Sequence, residues 1–341
     1  MQAEESEFLV LGAGLAGLAA ARHLQEAGRP VLVLDKGRRI GGRCATRRAG
    51  EFSFDHGAQY VTARTPDFAS LCVAARQAGL LDEWVSPSGK TVLSGRHAMR
   101  DLPGFLGRGL AIRQEVKITR IRREAGQYQL FAGSRLCARA EKLVLSAPAP
   151  QTARLLDGLS DQLAASARLA RYDPCWTVLL GFAEPACPPD GAAEDPDGPV
   201  SWARWHSRDE RCSLVLQASP DWSRDWLEAA AEQVADTLWS SFQGQSFQGQ
   251  SFQDQSFRGH SFQGQVFQNN RAGTSGWQGA APVYSAAHRW LYARLAQAVP
   301  AQAPRLSADK SLCLAGDWLA GPRLEAAWQS GRQAAAALLA G

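Results

Sequence analysis

A strand, a glycine turn and a helix follow one another across residues 8–28, and no other stretch of the chain narrows the possible folds as much. Phe8-Leu9-Val10-Leu11 is an unbroken apolar run, the pattern of a parallel strand covered on both faces. Gly12-Ala13-Gly14-Leu15-Ala16-Gly17 comes next, and the alanine-rich stretch Leu18 to Ala27 reads as a helix closed by Gly28. Val31 to Leu34 then forms a second apolar strand ending in Asp35, about 20 residues beyond the glycines, where an acid facing a ribose hydroxyl is expected. Gly12 permits the tight turn, Gly14 lets backbone amides approach a pyrophosphate, and Gly17 lets the helix sit close to the sheet. The whole turn, with Ala13, Leu15 and Ala16 between the glycines, is therefore a candidate phosphate cradle at a positively polarised helix N-terminus. Asp35 disfavours a 2′-phosphate and leaves NAD and FAD both open.

The 341 residues suit one large domain or two interleaved ones. With 45% hydrophobic and 21% charged residues the chain is composed like a folded globular protein. A net charge of +4 is too small over this length to predict nucleic-acid binding. Seven scattered cysteines, none in a CxxC, indicate neither a disulfide framework nor a zinc site, and with no export signal or membrane span visible a cytoplasmic location is expected. No Ser/His/Asp constellation, HExxH or metal-ligand cluster appears, so hydrolysis is not suggested.

Lys36-Gly37-Arg38-Arg39-Ile40-Gly41-Gly42-Arg43 directly follows Asp35, and Asp55-His56-Gly57-Ala58-Gln59-Tyr60 lies shortly after it. Near the other end, Leu312 to Asp317 reads as a short strand closing in Gly316-Asp317, and Glu325-Ala326-Ala327-Trp328 opens a helix. Together these resemble the glutathione-reductase-like flavoprotein superfamily with an amine-oxidase-type domain. The resemblance implies non-covalent FAD, with Lys36, Gly42 and Arg43 near the pyrophosphate and Asp317, after Gly316, at the ribityl chain or pyrophosphate edge. It further implies Glu325, Ala326 and Ala327 at the helix end facing the flavin. Glu115 to Ile121 alternates as a half-buried strand, in which Val116 would meet the adenine through its backbone. The fold implied is α/β: a Rossmann-like doubly wound FAD-binding domain with an inserted, sheet-rich α+β substrate domain. Its boundaries are expected at 1–62, 106–150 and 305–341 for the first, and 63–105 with 151–304 for the second.

Ala45-Thr46-Arg47-Arg48, Phe54 to Tyr60, Tyr172-Asp173-Pro174-Cys175-Trp176, Gln217 to Ser223, and Ala287-His288-Arg289-Trp290 resemble the renalase-like flavoproteins along almost the whole chain. That resemblance implies an oxidase that takes a hydride from 2- or 6-dihydro-NAD(P) to flavin N5 and passes electrons to O2, giving NAD(P)+ and hydrogen peroxide. His56, Gln59, Tyr60, His288 and Trp290 are then the candidate catalytic residues. Two alternatives stand beside it: an amine oxidase or desaturase-like enzyme of the same fold, and a flavin-binding interaction protein without catalysis.

One feature departs from that family. From Ser241 to Asn270 the chain runs in six copies of a five-residue repeat, SFQGQ and its variants, followed by a Gly/Ser-containing stretch to 279. Gln245 and Gln250 are too large and polar for the inward positions of a solenoid, so a low-complexity surface loop is expected after a helix from Trp226 to Phe242.

Overall fold

A computed structural model describes residues 3–183, 190–208, 211–244, 249–252 and 281–341. The chain opens with β1 (Glu4–Leu11), α1 (Leu15–Glu26) and β2 (Val31–Leu34), followed by a hairpin of β3 (Thr46–Ala49) and β4 (Phe52–Asp55). Next come α2 (Pro66–Gln77), a second hairpin of β5 (Leu81–Val85) and β6 (Thr91–Gly95), and α3 (Asp101–Leu106). The edge strand β7 (Ala111–Arg113) precedes a meander of β8 (Arg120–Glu124), β9 (Gln127–Ala132) and β10 (Arg135–Leu145), then α4 (Ala149–Leu156) and α5 (Asp161–Arg168). The second half holds β11 (Arg171–Phe182), β12 (Gly191–Glu194), β13 (Val200–Arg208), β14 (Arg211–Ala218), α6 (Pro220–Asp225), α7 (Ala231–Gly244), β15 (Gly249–Phe252) and β16 (Tyr284–Gln297). It ends with β17 (Leu312–Leu314), a 3-10 turn at Asp317–Leu319 and α8 (Leu324–Leu339).

Two sheets carry the architecture. In the first, β7, β2, β1 and β10 lie side by side in parallel; the far edge of β10 pairs in parallel with β17 at its C-terminal end and antiparallel with β9 earlier on. The apolar runs of the sequence are covered on both faces, as a parallel sheet requires. Phe8, Val10, Val33 and Val144 face α1, α2, α3 and α8, while Leu9, Leu11, Leu143 and Leu145 face α4 and α5. The second sheet is antiparallel, in the order β15-β12-β13-β14-β11-β16. One of its faces packs Val178, Leu180 and Leu216 against Val234, Leu238 and Phe242 of α7. From the opposite face Leu179 and Val215 meet Phe54 of the β3–β4 hairpin, so this sheet lies over the residues that follow Asp55.

Four sequence expectations change. Glu115 to Thr119 is not strand: Glu115 has φ +61°, its amide donates to the Gly37 carbonyl (3.1 Å) and that of Val116 to the Asp35 carbonyl (2.9 Å). These amides serve the loop after β2 rather than a ladder, and β8 starts at Arg120. The helix expected from Trp226 begins at Ala231 instead; the Trp226 carbonyl accepts the indole N–H of Trp176 (2.9 Å) and the Ala229 amide (3.1 Å), closing a turn ahead of α7. The first repeat copy is not loop: Ser241 to Gly244 completes α7 with Phe242 buried, and Gly249–Phe252 pairs with β12. The other repeat residues, 245–248 and 253–270, lie outside the described residues. Finally, Phe68 and Leu102 share a core with α1, and Leu156 and Leu163 share one with β1 and β10. Packing thus joins 66–106 and 149–170 to the first sheet, whereas the sequence reading gave 63–105 and 151–304 to the substrate domain.

Candidate functional site

The glycine turn folds as its spacing demands. Gly12 has φ +110°, and a Cβ on Gly17 would overlap the Gly12 carbonyl, so neither position accepts a side chain. Ser146, at the end of β10, donates its hydroxyl to the carbonyls of Leu11 (3.0 Å) and Gly12 (3.1 Å) and fixes the turn from the neighbouring strand. Gly14 caps α1 without a side chain, and nothing lies within 4 Å of where its Cβ would stand. The first intrahelical bond runs from the Leu18 amide to the Gly14 carbonyl (2.9 Å), so the amides of Leu15, Ala16 and Gly17 are the open donors of the first turn. The side chains of Leu15 and Ala16 are buried in the core.

Asp35 bridges this turn to the next loop. Its carboxylate accepts the amides of Ala13 and Gly37, both at 2.6 Å. The Ala13 amide is therefore committed within the protein. Gly42, with φ +53°, abuts Gly14: a Cβ on it would stand 3.3 Å from the Gly14 Cα. Lys36 is exposed and donates to Gln151 of α4 (3.1 Å).

Arg43 and Asp317, remote in sequence, form a two-pronged ion pair at 2.8 and 2.6 Å, and Tyr172 lies 5.7 Å from the guanidinium. Burial opposes the charge on Arg43, but Asp317 outweighs it and raises the pKa. Burial also pushes the Tyr172 phenol upward, so it stays protonated. Gly316, at φ +150°, lets the chain turn where Trp318 crowds the position a Cβ would take. On α8, Ala326 and Ala327 are buried, and the Ala327 amide already donates to the Arg323 carbonyl (3.1 Å). Glu325 is also buried, and its carboxylate accepts from the Thr65 amide (2.7 Å), the Thr65 hydroxyl (2.6 Å) and the Arg64 amide (3.2 Å). It ties α8 to the start of α2.

The remaining candidates meet between the β3–β4 hairpin and β16. His56 packs edge-on to His288 with ring centres 5.0 Å apart, Trp290 lies 5.4 Å from His56, and the Trp290 indole donates to the His56 carbonyl (2.7 Å). Burial lowers the His56 pKa to about 4, helped by His288, Arg47 and Arg100 and opposed by a hydrogen bond with the Phe54 backbone. His288 is lowered by burial and by Arg47. Both rings are therefore neutral near pH 7, and Nδ1 of His56 is buried without a hydrogen-bond partner among the described residues. Gln59 donates to the carbonyls of Asp55 (2.6 Å) and Gly57 (3.0 Å), shaping the loop. Tyr60 is directed away from the histidines, against Trp202 (5.5 Å) and Trp84 (6.2 Å).

Five supporting residues had no assigned role in the sequence reading. Gln217 of β14 donates to the Gly57 carbonyl (2.7 Å), and the Asp55 carboxylate accepts from Thr46 (2.5 Å) and the Met99 amide (2.9 Å). Arg100 donates to the Thr46 carbonyl (2.6 Å). The stretch around Gln217 stands out in the sequence, but its link to Gly57 exists only because β14 crosses above that loop.

The fold and these sites define a two-domain flavoprotein of the dinucleotide-binding type. A Rossmann-like NAD(P)-binding domain profile matches residues 10–74, and the profile of the flavin containing amine oxidoreductases matches residues 84–339, most of the chain. The protein belongs to the flavin-containing amine oxidoreductase family. That membership implies FAD, and the residues present fit it: open helix-end amides, the space beside Gly14, the Asp35 carboxylate and the Arg43–Asp317 pair.

Among relatives, an all-trans-retinol 13,14-reductase of Rattus norvegicus is 32% identical over 109 residues, 31% of this chain and 18% of that protein. An L-glutamate oxidase precursor of Streptomyces diastatochromogenes is 43% identical over 74 residues, 20% of this chain and 11% of that one. The chain thus matches about a fifth or less of these relatives' length. Among solved structures, a putrescine oxidase variant aligns over 100% of both chains at TM-score 0.65 and 12% identity. A cyclohexylamine oxidase of Brevibacterium oxydans aligns over 98% of both at 0.64 and 14%. At these identities the likeness is one of fold.

Proposed function

We propose that this protein is an FAD-dependent oxidase of dihydronicotinamide isomers, the 2- and 6-dihydro forms of NAD(P), yielding NAD(P)+ with O2 as acceptor and hydrogen peroxide as product. The observation that carries this reading is the uncharged aromatic wall of His56, His288 and Trp290, in which the His288 ring stands edge-on to the other two. Bound FAD supplies the hydride acceptor and the subsequent reaction with oxygen. The chain's part is to hold a planar ring in place and keep water away from it. A dihydropyridine is neutral and gives up a hydride without first losing a proton, so a wall with no proton acceptor poised near pH 7 suffices. An amine arrives as a cation, and Arg47 and Arg100 beside the histidines oppose it.

In this reading FAD is held by Gly12 to Gly17, Asp35, Lys36, Gly42, Arg43, the Val116 carbonyl, Gly316, Asp317 and the start of α8 at Ala326 and Ala327, while Glu325 anchors that helix to α2. Gln59 and Gln217 are positioning residues for the loop that carries His56. Tyr60 borders the substrate space on its far side. The first sheet with its helices is the FAD domain, and the antiparallel sheet is the substrate domain. Among the described residues six cysteines are free and no helix is long and apolar enough to cross a membrane. The free thiols support a reducing cytoplasm.

Amine oxidation is the second reading, favoured by the aromatic faces of Tyr60 and Trp202 with Glu194 acting on Tyr60, a combination suited to an ammonium group. Anaerobic mixing with 6-dihydro-NAD(P) separates the two. Rapid bleaching of the flavin band, reversed by air, is the expected result. Bleaching by amines alone would transfer the proposal to the second reading, and bleaching by neither would favour a flavin-binding protein without catalysis.

A further inference from the structure

Arg47 has entered so far only as a positive charge beside the histidines. Its strand position is fixed by register: Arg47 pairs with Phe54 across the β3–β4 hairpin, so the two side chains leave the same face. Ala49 and Phe52, the next pair on that face, pack with Phe54 and Tyr284. His56 follows two residues after Phe54, and β16 lies opposite with Tyr284 stacked on Phe54 (5.4 Å) and His288 against His56 (5.0 Å). Arg47 therefore stands beside the histidine wall.

The neighbouring arginines are engaged. Arg43 holds Asp317, Arg100 donates to Thr46, and Arg204 is buried over the Trp84 ring at 3.5 Å. Arg48 leaves the opposite face of the hairpin. Arg47 is exposed and makes no hydrogen bond or ion pair among the described residues. The Asp55 carboxylate, one cross-strand pair away, is already taken by Thr46 and Met99. A hydrated guanidinium beside a neutral aromatic wall is suited to an anion carried by whatever lies on that wall.

We infer that Arg47 is a specificity residue that receives the 5′-phosphate of a nicotinamide nucleotide whose ring lies on the His56–His288–Trp290 wall. This rests on the dinucleotide reading above and deepens it: the preferred substrates are phosphorylated nucleotides, and the bare riboside is a poor one. Arg47 touches no reacting atom in this scheme, so its loss weakens binding and leaves turnover at saturation intact.

The test is calorimetric titration of the purified flavoprotein with nicotinamide mononucleotide and with nicotinamide riboside, which differ only in the phosphate. The wild type is expected to bind the mononucleotide about tenfold more tightly, the scale of one charge-assisted hydrogen bond. Arg47→Met should bind both equally, and Arg47→Lys should keep part of the preference as a point charge without the planar fork. Added salt should shrink the wild-type preference, since the site is exposed. A wild type without preference, or an Arg47→Met protein that keeps it, overturns the inference. Anaerobic mixing with the dihydro form of the mononucleotide separates the two proposals. Phosphate preference without bleaching would leave the anion site standing and remove the oxidase reading, whereas bleaching without preference would do the reverse.

Discussion

Substituting Glu325 by alanine should destabilise the protein by about 2–3 kcal/mol while leaving FAD bound. The carboxylate is 3% exposed and receives three donors: the Thr65 amide and hydroxyl and the Arg64 amide. A hydrogen bond to a charged group contributes about 1.5–3 kcal/mol, and a buried donor left unpaired costs about 1–3 kcal/mol. Arg64 is exposed and Thr65 half-buried, so water replaces part of what is lost and the lower end of those ranges applies. Phe68 of α2 remains packed on Trp328 of α8 at 5.3 Å, which limits the damage to the start of α2. Burial pushes the Glu325 carboxyl up, but the bonds from Thr65 and Arg64 outweigh it and hold the pKa below its ordinary value. Glu325→Gln keeps an acceptor oxygen without the charge and should cost about half as much. Urea unfolding of the flavin-loaded protein measures the shift in midpoint, and the flavin-to-protein absorbance ratio measures retention. A Glu325→Ala protein with the wild-type midpoint but no flavin would refute this reasoning and return Glu325 to the cofactor set that the sequence suggested.

Asp317→Ala should release FAD, since it removes a carboxylate of the proposed cofactor site and leaves Arg43 without its partner; full flavin occupancy in that variant would count against the C-terminal motif as a cofactor element. Gly331→Ala places a Cβ on the Ala16 carbonyl where α1 crosses α8, and should lower stability by at least about 2 kcal/mol, read as a drop in melting temperature. For pH, the unfolded chain protonates His56 near its ordinary 6.5 while the folded chain resists until about 4. Folded stability should therefore fall as pH drops from 6.5 towards 4 and level off below, by on the order of 3 kcal/mol. Denaturant titrations at three pH values measure this slope, and His56→Phe should flatten it; an unchanged slope in that variant would assign the effect to other groups.

Most of the first sheet was legible in the sequence because its signals are local. A covered parallel strand is a continuous apolar run, a tight turn needs glycine, and a helix needs a small residue where backbone comes close, as Gly17 against the Gly12 carbonyl and Gly331 against the Ala16 carbonyl show. The failures came where a distant partner took a backbone group. Asp35 and Gly37 draw the amides of Val116 and Glu115 away from a ladder. The alternation of Glu115 to Ile121 carries no trace of that competition.

The same division runs through the site. The sequence by itself determined the glycine turn and the acid after β2, since each depends on residues within about one turn or strand of one another. Only the tertiary structure decided that Arg43 pairs with Asp317, that Glu325 serves α2, that Tyr60 faces tryptophans rather than histidines, and that His56, His288 and Trp290 share one wall. His56 follows the β3–β4 hairpin whereas His288 and Trp290 lie on β16, and their meeting depends on how the antiparallel sheet is seated on that hairpin through Phe54, Leu179 and Val215. Packing of that kind is set by the shapes of many side chains at once, which no single segment of the chain encodes.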